Sequence, residues 1–368
     1  MAIYIGYLLL AGLQIPLFYK KDVEGNRRFC TSAYLLVCCV ELILLAGFRG
    51  YTVGADTAIY LNAVDYYTAL PKSELWQAKL VFPFDFEWGY FLLTKIGAFL
   101  NLGKTGFLFI VALITYIPIF ISIKNHSSIP YLSILTYFAF GIFSYSLGIF
   151  RQMIALSILL CGWKFVRERK LFKYLILVAV AMLFHTTAFL GIVLYILYGI
   201  KWKRIIWFVV PTEIVLLILG RPLALLMTQI FPQYAGYVNG QYDIQGGSYV
   251  MLILMNVILF VCVYLEKKGK YCDDMTICAL ILAIFLQAIG YSMAILGRVV
   301  PYFSIYLIFA VPDIAYGISF KWRKFVVVGV VCILLLLVFR EFNGNYYVTP
   351  YYMFFEEVPK AVIPAVTK

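Results

Sequence analysis

Charge is scarce in this sequence of 368 residues: 13% are Asp, Glu, Lys or Arg, against about 25% in a soluble domain. Acidic residues number 18 against 30 basic ones, and only two histidines are present, His126 and His185. So few ionisable groups cannot cover a water-facing surface, which excludes a soluble enzyme. The eight cysteines form no CxxC pair, and neither histidine stands near a cysteine in the sequence. That argues against a disulfide framework or a zinc site and leaves the thiols as small apolar packers. No HExxH, P-loop or DxD-type pair stands out either, so no metal and no cofactor is expected. The net charge of +12 is scattered in short clusters between apolar runs, which speaks against a nucleic-acid partner.

What fills the chain instead is apolar: 64% hydrophobic residues, 18% aromatic. The expected fold class is all-α, a polytopic transmembrane bundle over 1–368 as a single membrane domain. A crossing needs roughly 20 apolar residues. About twelve candidate spans follow: 1–19, 29–48, 105–123, 129–146, 148–166, 171–184, 186–200, 205–220, 249–265, 275–296, 299–318 and 325–339. Residues 1–19 lack a positive n-region and a small-residue cleavage site, so they read as a retained first helix and not a signal peptide. Most of the 30 positives lie in loops that fall on one side if the helices pair as hairpins. Placing those loops in the cytoplasm puts the N-terminus outside.

One segment disturbs this parity. Residues 88–102 are apolar but short, with Lys95 in the middle, and read as a re-entrant or interfacial outer helix. The competing reading is that they span and that Lys124 lies outside. Two stretches are polar enough for external loops, 49–87 and 221–249, both rich in Tyr. Helices 171–184 and 186–200 are only about 21–23 Å long at 1.5 Å per residue. Their junction, Phe184-His185-Thr186-Thr187, should then lie below the outer surface and open a cavity to the outside.

Polar residues inside apolar runs cost about 2.5–3.5 kcal/mol each at the bilayer centre, so each needs a partner or a purpose. The expected topology gathers several on the outer side: Arg49, Asp56, Glu87, Arg151 with Gln152, His185 and Arg298. Taken singly, Arg49 and Arg298 could be snorkelling anchors, Asp56 a helix cap and His185 a bonded core residue. Glu41 and Glu213 read as protonated or paired within the bundle, and His126 as a solvated loop residue. Taken together, the arginines suit a phosphorylated lipid head group. A neutral imidazole beside them can accept a proton from a hydroxyl.

The motifs carrying these residues resemble the EpsG family. Phe48-Arg49-Gly50-Tyr51, Gly54-Ala55-Asp56-Thr57 with Tyr60, and Glu87-Trp88-Gly89-Tyr90 resemble its opening. Phe150-Arg151-Gln152-Met153-Ile154-Ala155 and Phe184-His185-Thr186-Thr187-Ala188 resemble its helical motifs, in order and spacing. Gly297-Arg298 with Tyr302 resembles its C-terminal motif, and the likeness covers about 40 to 310. The usual form has the aromatic directly after Arg, a departure at Arg49. The family is similar to Wzy-type O-antigen polymerases.

The resemblance implies a glycosyltransferase of capsule or exopolysaccharide synthesis in a bacterial cytoplasmic membrane. It would join repeat units on the outer face, from a polyprenyl pyrophosphate-linked oligosaccharide. Membrane lipid, and a chain-length regulator and flippase of the same pathway, are the other partners it implies. On this reading the transfer is inverting and metal-independent. Arg151 and Arg298, with Arg49, hold the leaving pyrophosphate. His185 is the favoured base, with Asp56 or Glu87 as rival, while Gln152, Tyr60, Thr186 and Tyr302 orient groups around them. Two other classes stay open: a lipid-linked oligosaccharide flippase, and a membrane acyltransferase modifying the glycan.

Overall fold

The computed structural model describes residues 1–21, 26–79, 86–200, 202–230, 248–269, 272–291, 297–345 and 347–356. Nearly all of the regular structure among them is helical. The helices are α1 (Ala2–Leu13), α2 (Thr31–Gly47), α3 (Thr57–Thr68), the single turn α4 (Lys72–Leu75), α5 (Trp88–Phe99), α6 (Gly103–His126), α7 (Pro130–Ala139), α8 (Ile142–Gly148) and α9 (Phe150–Leu160). They continue as α10 (Trp163–Arg167), α11 (Leu171–Met182), α12 (Gly191–Ile200), α13 (Val209–Ile230), α14 (Tyr249–Lys267), α15 (Asp274–Gly290), the turn α16 (Pro301–Ser304), α17 (Leu307–Gly317) and α18 (Phe320–Phe342). One two-stranded antiparallel ribbon pairs β1 (Tyr19–Lys21) with β2 (Arg27–Phe29).

This is an all-α membrane protein. Among the described residues, four helices are long and apolar enough to cross a bilayer: Gly103–His126, Ile206–Leu226, Tyr249–Lys267 and Lys321–Phe342. A fifth crossing results if α7 and α8, bent by 64° at their junction, count as one span. The other apolar segments are helices of 10–17 residues, so length alone does not sustain the expectation of twelve. Hydropathy reads an apolar run but not a break inside it. At Gly141, for example, φ is +71°, a left-handed conformation that ends one helix and starts another.

The structure adds detail at 49–87 and 88–102 and moves the boundary expected near residue 220. Segment 49–87 is not merely a loop, since it contains α3 and α4. The helix within 88–102 has 12 residues, about 18 Å at 1.5 Å per residue, too short to cross. The span expected at 205–220 continues as helix to Ile230, straight through Pro222, because a membrane environment tolerates a helical proline. The loop expected at 221–249 therefore starts later, and residues 231–247 lie outside the described residues.

The helices group into two compact units. One comprises 1–163, 176–188 and 331 onward, and the other comprises 164–175 and 189–330. In the first, α3 and α5 pack on each other and on α6. Tyr60 and Tyr67 of α3 meet Tyr90 and Phe91 of α5 in this core, with Phe107 and Leu108 of α6 beneath. Lys95 is buried in α5 yet satisfied: its Nζ donates to the carbonyls of Trp76 (3.1 Å) and Ala78 (2.7 Å) and lies 4.4 Å from the Phe91 ring centre. Glu41 accepts from Gln14 Nε2 at 3.2 Å, in keeping with pairing inside the bundle. His126 is not simply solvated, because its ring stacks on Trp163 at 4.1 Å.

In the second unit Asp273 caps α15 by accepting from the Met275 N–H (2.8 Å) and pairs with Arg167 at 3.5 Å. Trp202 Nε1 donates to Asp274 (2.6 Å), and Asn256 donates to Glu213 (2.9 Å).

The loop between α2 and α3 is fixed by the end of α8. Helix α8 stops at Gly148 and leaves the Leu147 carbonyl without an intrahelical partner. That oxygen accepts from Thr57 Oγ1 at 2.9 Å and from Arg49 Nη2 at 3.1 Å. Gly54 makes the approach feasible: its φ is +113°, and a Cβ there would collide with the Leu147 carbonyl. Gly54→Ala should therefore lower stability by about 2–4 kcal/mol, combining backbone strain with overpacking. Gly6→Ala, whose added methyl meets nothing within 4 Å, should leave the thermal midpoint unchanged or raise it. Parallel melts of the two variants in detergent check this.

Candidate active site

Helix α9 begins at Phe150 after a break at Ile149, which puts Arg151 in its first turn. A cation there opposes the helix dipole, so helix stability does not explain it. Helix α11 ends at Met182, the chain turns through Leu183 and Phe184, and a 3-10 turn (Thr186–Leu190) follows His185. Glu87 immediately precedes α5. These three pieces, far apart in sequence, meet at the Glu87 carboxylate.

One carboxylate oxygen, Oε2, accepts from Arg151 Nη1. The other, Oε1, bonds His185 Nδ1 at 2.8 Å and accepts from the Thr186 backbone N–H at 3.1 Å. Burial alone would raise the Glu87 carboxyl, but the His185 hydrogen bond and the Arg151 charge outweigh it and hold it down at about 2. Glu87 is thus an ionised, acceptor-only group, which requires the proton on His185 Nδ1. A neutral imidazole held this way carries its lone pair on Nε2, oriented by a carboxylate behind it.

Gly89 allows this meeting. Its N–H donates to the Leu183 carbonyl at 2.7 Å, and a Cβ on it would lie 2.8 Å from that oxygen and 2.9 Å from the Leu183 Cβ. Only a residue without a side chain lets the start of α5 lie against the end of α11.

Aromatic rings enclose the cation. The Arg151 Cζ is 5.1 Å from the Phe86 ring centre and 5.8 Å from that of Tyr60, and the Tyr60 hydroxyl hydrogen-bonds the guanidinium. Tyr60 stacks on Phe150 at 4.8 Å. Within this cluster Arg151 Nε and the Tyr90 hydroxyl are buried without a partner. Gln152 is buried next to Arg151 on α9. Asp56, at the N-cap position of α3, makes no side-chain cap bond and acts electrostatically on Tyr60, one turn on.

Of the residues expected to act together, Glu87, Arg151, His185, Thr186 and Tyr60 converge, with Asp56 and Gln152 alongside. Arg49 does not join them. It is 2% exposed, and its guanidinium donates to the carbonyls of Ala46, Val53 (3.3 Å) and Leu147 (3.1 Å). Each of its three nitrogens thus bonds the main chain, and none bonds Glu87. Arg298 and Tyr302 belong to the second unit: Arg298 is exposed in a turn, and Tyr302 is buried in α16. Sequence reasoning quoted Gly89 and Tyr90 within a motif but gave them no role. The glycine beside a buried carboxylate was the available signal for a close backbone approach.

Fold and site define a polytopic membrane protein with a carboxylate that orients an imidazole beside an arginine. A family model described as the EpsG family matches residues 32–353. The chain belongs to the EpsG family, a family of Wzy-like polysaccharide polymerases. No curated protein and no solved structure gives a match.

Glu87→Ala leaves a partly buried Arg151 without its counter-ion and should cost about 2–3 kcal/mol. Gly89→Ala, which forces α5 away from Leu183, should cost about 1–3 kcal/mol. Both disturb one contact, so the double variant should lose less than the sum of the two. Thermal unfolding of all four proteins measures that shortfall.

Proposed function

We propose that this chain joins lipid-linked oligosaccharide repeat units by glycosyl transfer on the outer face of a bacterial cytoplasmic membrane. The product is a capsular or exopolysaccharide, and the donor is a glycan on polyprenyl pyrophosphate. The observation that carries this reading is the Glu87 carboxylate bonded at once to His185 Nδ1 and to Arg151, in a chain of a polymerase family.

The acceptor hydroxyl gives its proton to His185 Nε2 as its oxygen attacks the anomeric carbon. The bond from that carbon to the pyrophosphate oxygen breaks, and configuration inverts. Glu87 holds the ring in the productive tautomer and stabilises the imidazolium that forms. A carboxylate held at about 2 is itself a weak base, which assigns Glu87 to orientation and leaves Asp56 as the rival base. Arg151 stabilises charge developing on the leaving pyrophosphate. Tyr60, Gln152 and Thr186 support the two groups, and the family motif makes Arg298 and Tyr302 further candidates for holding substrate. No metal ion takes part in this scheme.

The test is polymerisation of purified lipid-linked repeat unit by the reconstituted protein. His185→Ala should make no polymer and leave single units unconsumed. Glu87→Gln, which keeps the shape but not the charge, should lower kcat by about 10²–10⁴-fold. Asp56→Asn should lose less than about tenfold. Full-length polymer from His185→Ala, or an Asp56→Asn loss exceeding that of Glu87→Gln, would move the base away from His185.

A further inference from the structure

The described chain ends on the loop that carries Arg49. After α18, Thr349 Oγ1 donates to the carbonyls of Asn345 (2.8 Å) and Phe342 (3.2 Å) and turns the chain back. Residues 347–354 then run beside residues 48–54. Gly54 N–H donates to Tyr347 O (2.6 Å), Gly50 N–H to Tyr352 O (2.7 Å) and Phe354 N–H to Phe48 O (2.9 Å). Arg49 and Met353 form an antiparallel bridge. Side chains tie the same strap elsewhere: Tyr351 OH donates to Leu45 O (2.7 Å) and Tyr4 OH to Val348 O (2.8 Å). The family match runs to residue 353, so it includes all but the last residue of this strap.

The strap fixes the backbone from which Arg49 reaches inward. The carbonyls that Arg49 bonds come from three places: Ala46 in the last turn of α2, Val53 in the loop after it, and Leu147 in the last turn of α8. Its Cζ also lies 5.1 Å from the ring centre of Phe150, the first residue of α9. Arg49 therefore touches both sides of the break that launches Arg151. Burying a guanidinium costs several kcal/mol, and a planar fork with five donors suits carbonyls converging from separate segments as a lysine does not.

We propose that Arg49 and the strap of residues 347–354 form a positioning clamp that sets where Arg151 meets the leaving phosphate, with Arg49 taking no part in holding substrate. This rests on the polymerase reading above. A displacement of about 1 Å at a group that must be aligned can cost about 100-fold in rate, and the clamp prevents one.

A disulfide tests the geometry independently of the reaction. A Cβ on Gly50 lies 3.5 Å from the Tyr352 Cβ, within the range of about 3.5–4.5 Å that a disulfide spans. Gly50→Cys/Tyr352→Cys should form an oxidant-dependent intramolecular crosslink that neither single variant forms, read by peptide mass. The oxidised full-length protein, reconstituted with lipid-linked repeat unit, should keep at least about half the kcat of its reduced form. Arg49→Met should lose about 100-fold in kcat with KM within about twofold, and Arg49→Lys should recover part of that loss. Adding the oxidised cysteine pair to Arg49→Met should also raise kcat. Failure to crosslink, silencing of the enzyme by the crosslink, or a raised KM with kcat intact in Arg49→Met would overturn the clamp. A wild type that makes no polymer would sink the polymerase reading, while the crosslink yield would still decide the strap.

Discussion

A carboxylate withdrawn from water is tolerable only when its lone pairs are occupied and its charge is matched. Glu87 meets both conditions with groups from three segments: Arg151 Nη1 on one oxygen, His185 Nδ1 and the Thr186 N–H on the other. Removing any contributor leaves another exposed to the penalty, so the three segments constrain one another. The break before α9, the turn after α11 and the abrupt start of α5 at Gly89 all serve to bring backbone ends, and not helix flanks, to this point. Helix ends offer unpaired N–H groups and turn-borne side chains, which continuous spans do not.

The same arrangement balances charge through the proposed reaction. With His185 as the base, transfer starts from one guanidinium, one carboxylate and one neutral ring. Taking up the hydroxyl proton adds one positive charge at the moment the pyrophosphate leaves with more negative charge. The ionised Glu87 stabilises the first change and Arg151 the second. Neither adjustment requires solvent to reorganise, which is the advantage of preset dipoles and charges in a water-poor site.

The fold class was legible because hydrophobic content and spacing report burial directly. Helix lengths were less so. The run 205–220 looked finished at Arg221-Pro222, yet α13 passes through it, since Pro222 removes one hydrogen bond without ending the apolar pattern. Stretch 49–87 looked like a loop because its aromatics are diluted by polar residues; α3 is nonetheless a helix, burying Tyr60, Leu61, Val64 and Tyr67 on one face. At the site, Glu87, Arg151 and His185 could be named from their cost in an apolar chain. Which side chain faces which could not, because the Glu87–His185 pair is separated by 98 positions and depends on Gly89 fitting against Leu183.

The two arginines of the first unit show why residue type alone misleads. Arg49 and Arg151 flank one aromatic pair, Arg49 against Phe150 and Arg151 against Tyr60, with the two rings stacked between them. On residue type alone, the same ground makes both phosphate-binding cations. Their fates diverge by what ends nearby. The end of α2, the loop after it and the last turn of α8 present Arg49 with main-chain oxygens, and each of its three nitrogens bonds one of them. At Arg151 the nearest acceptor is a single carboxylate oxygen, and Nε stays without a partner. A guanidinium whose three nitrogens all bond carbonyls organises backbone, whereas one with a nitrogen unpaired beside a carboxylate-held imidazole can respond to an incoming anion. Spacing in the sequence carries no record of that difference, because it is set by where two other helices stop.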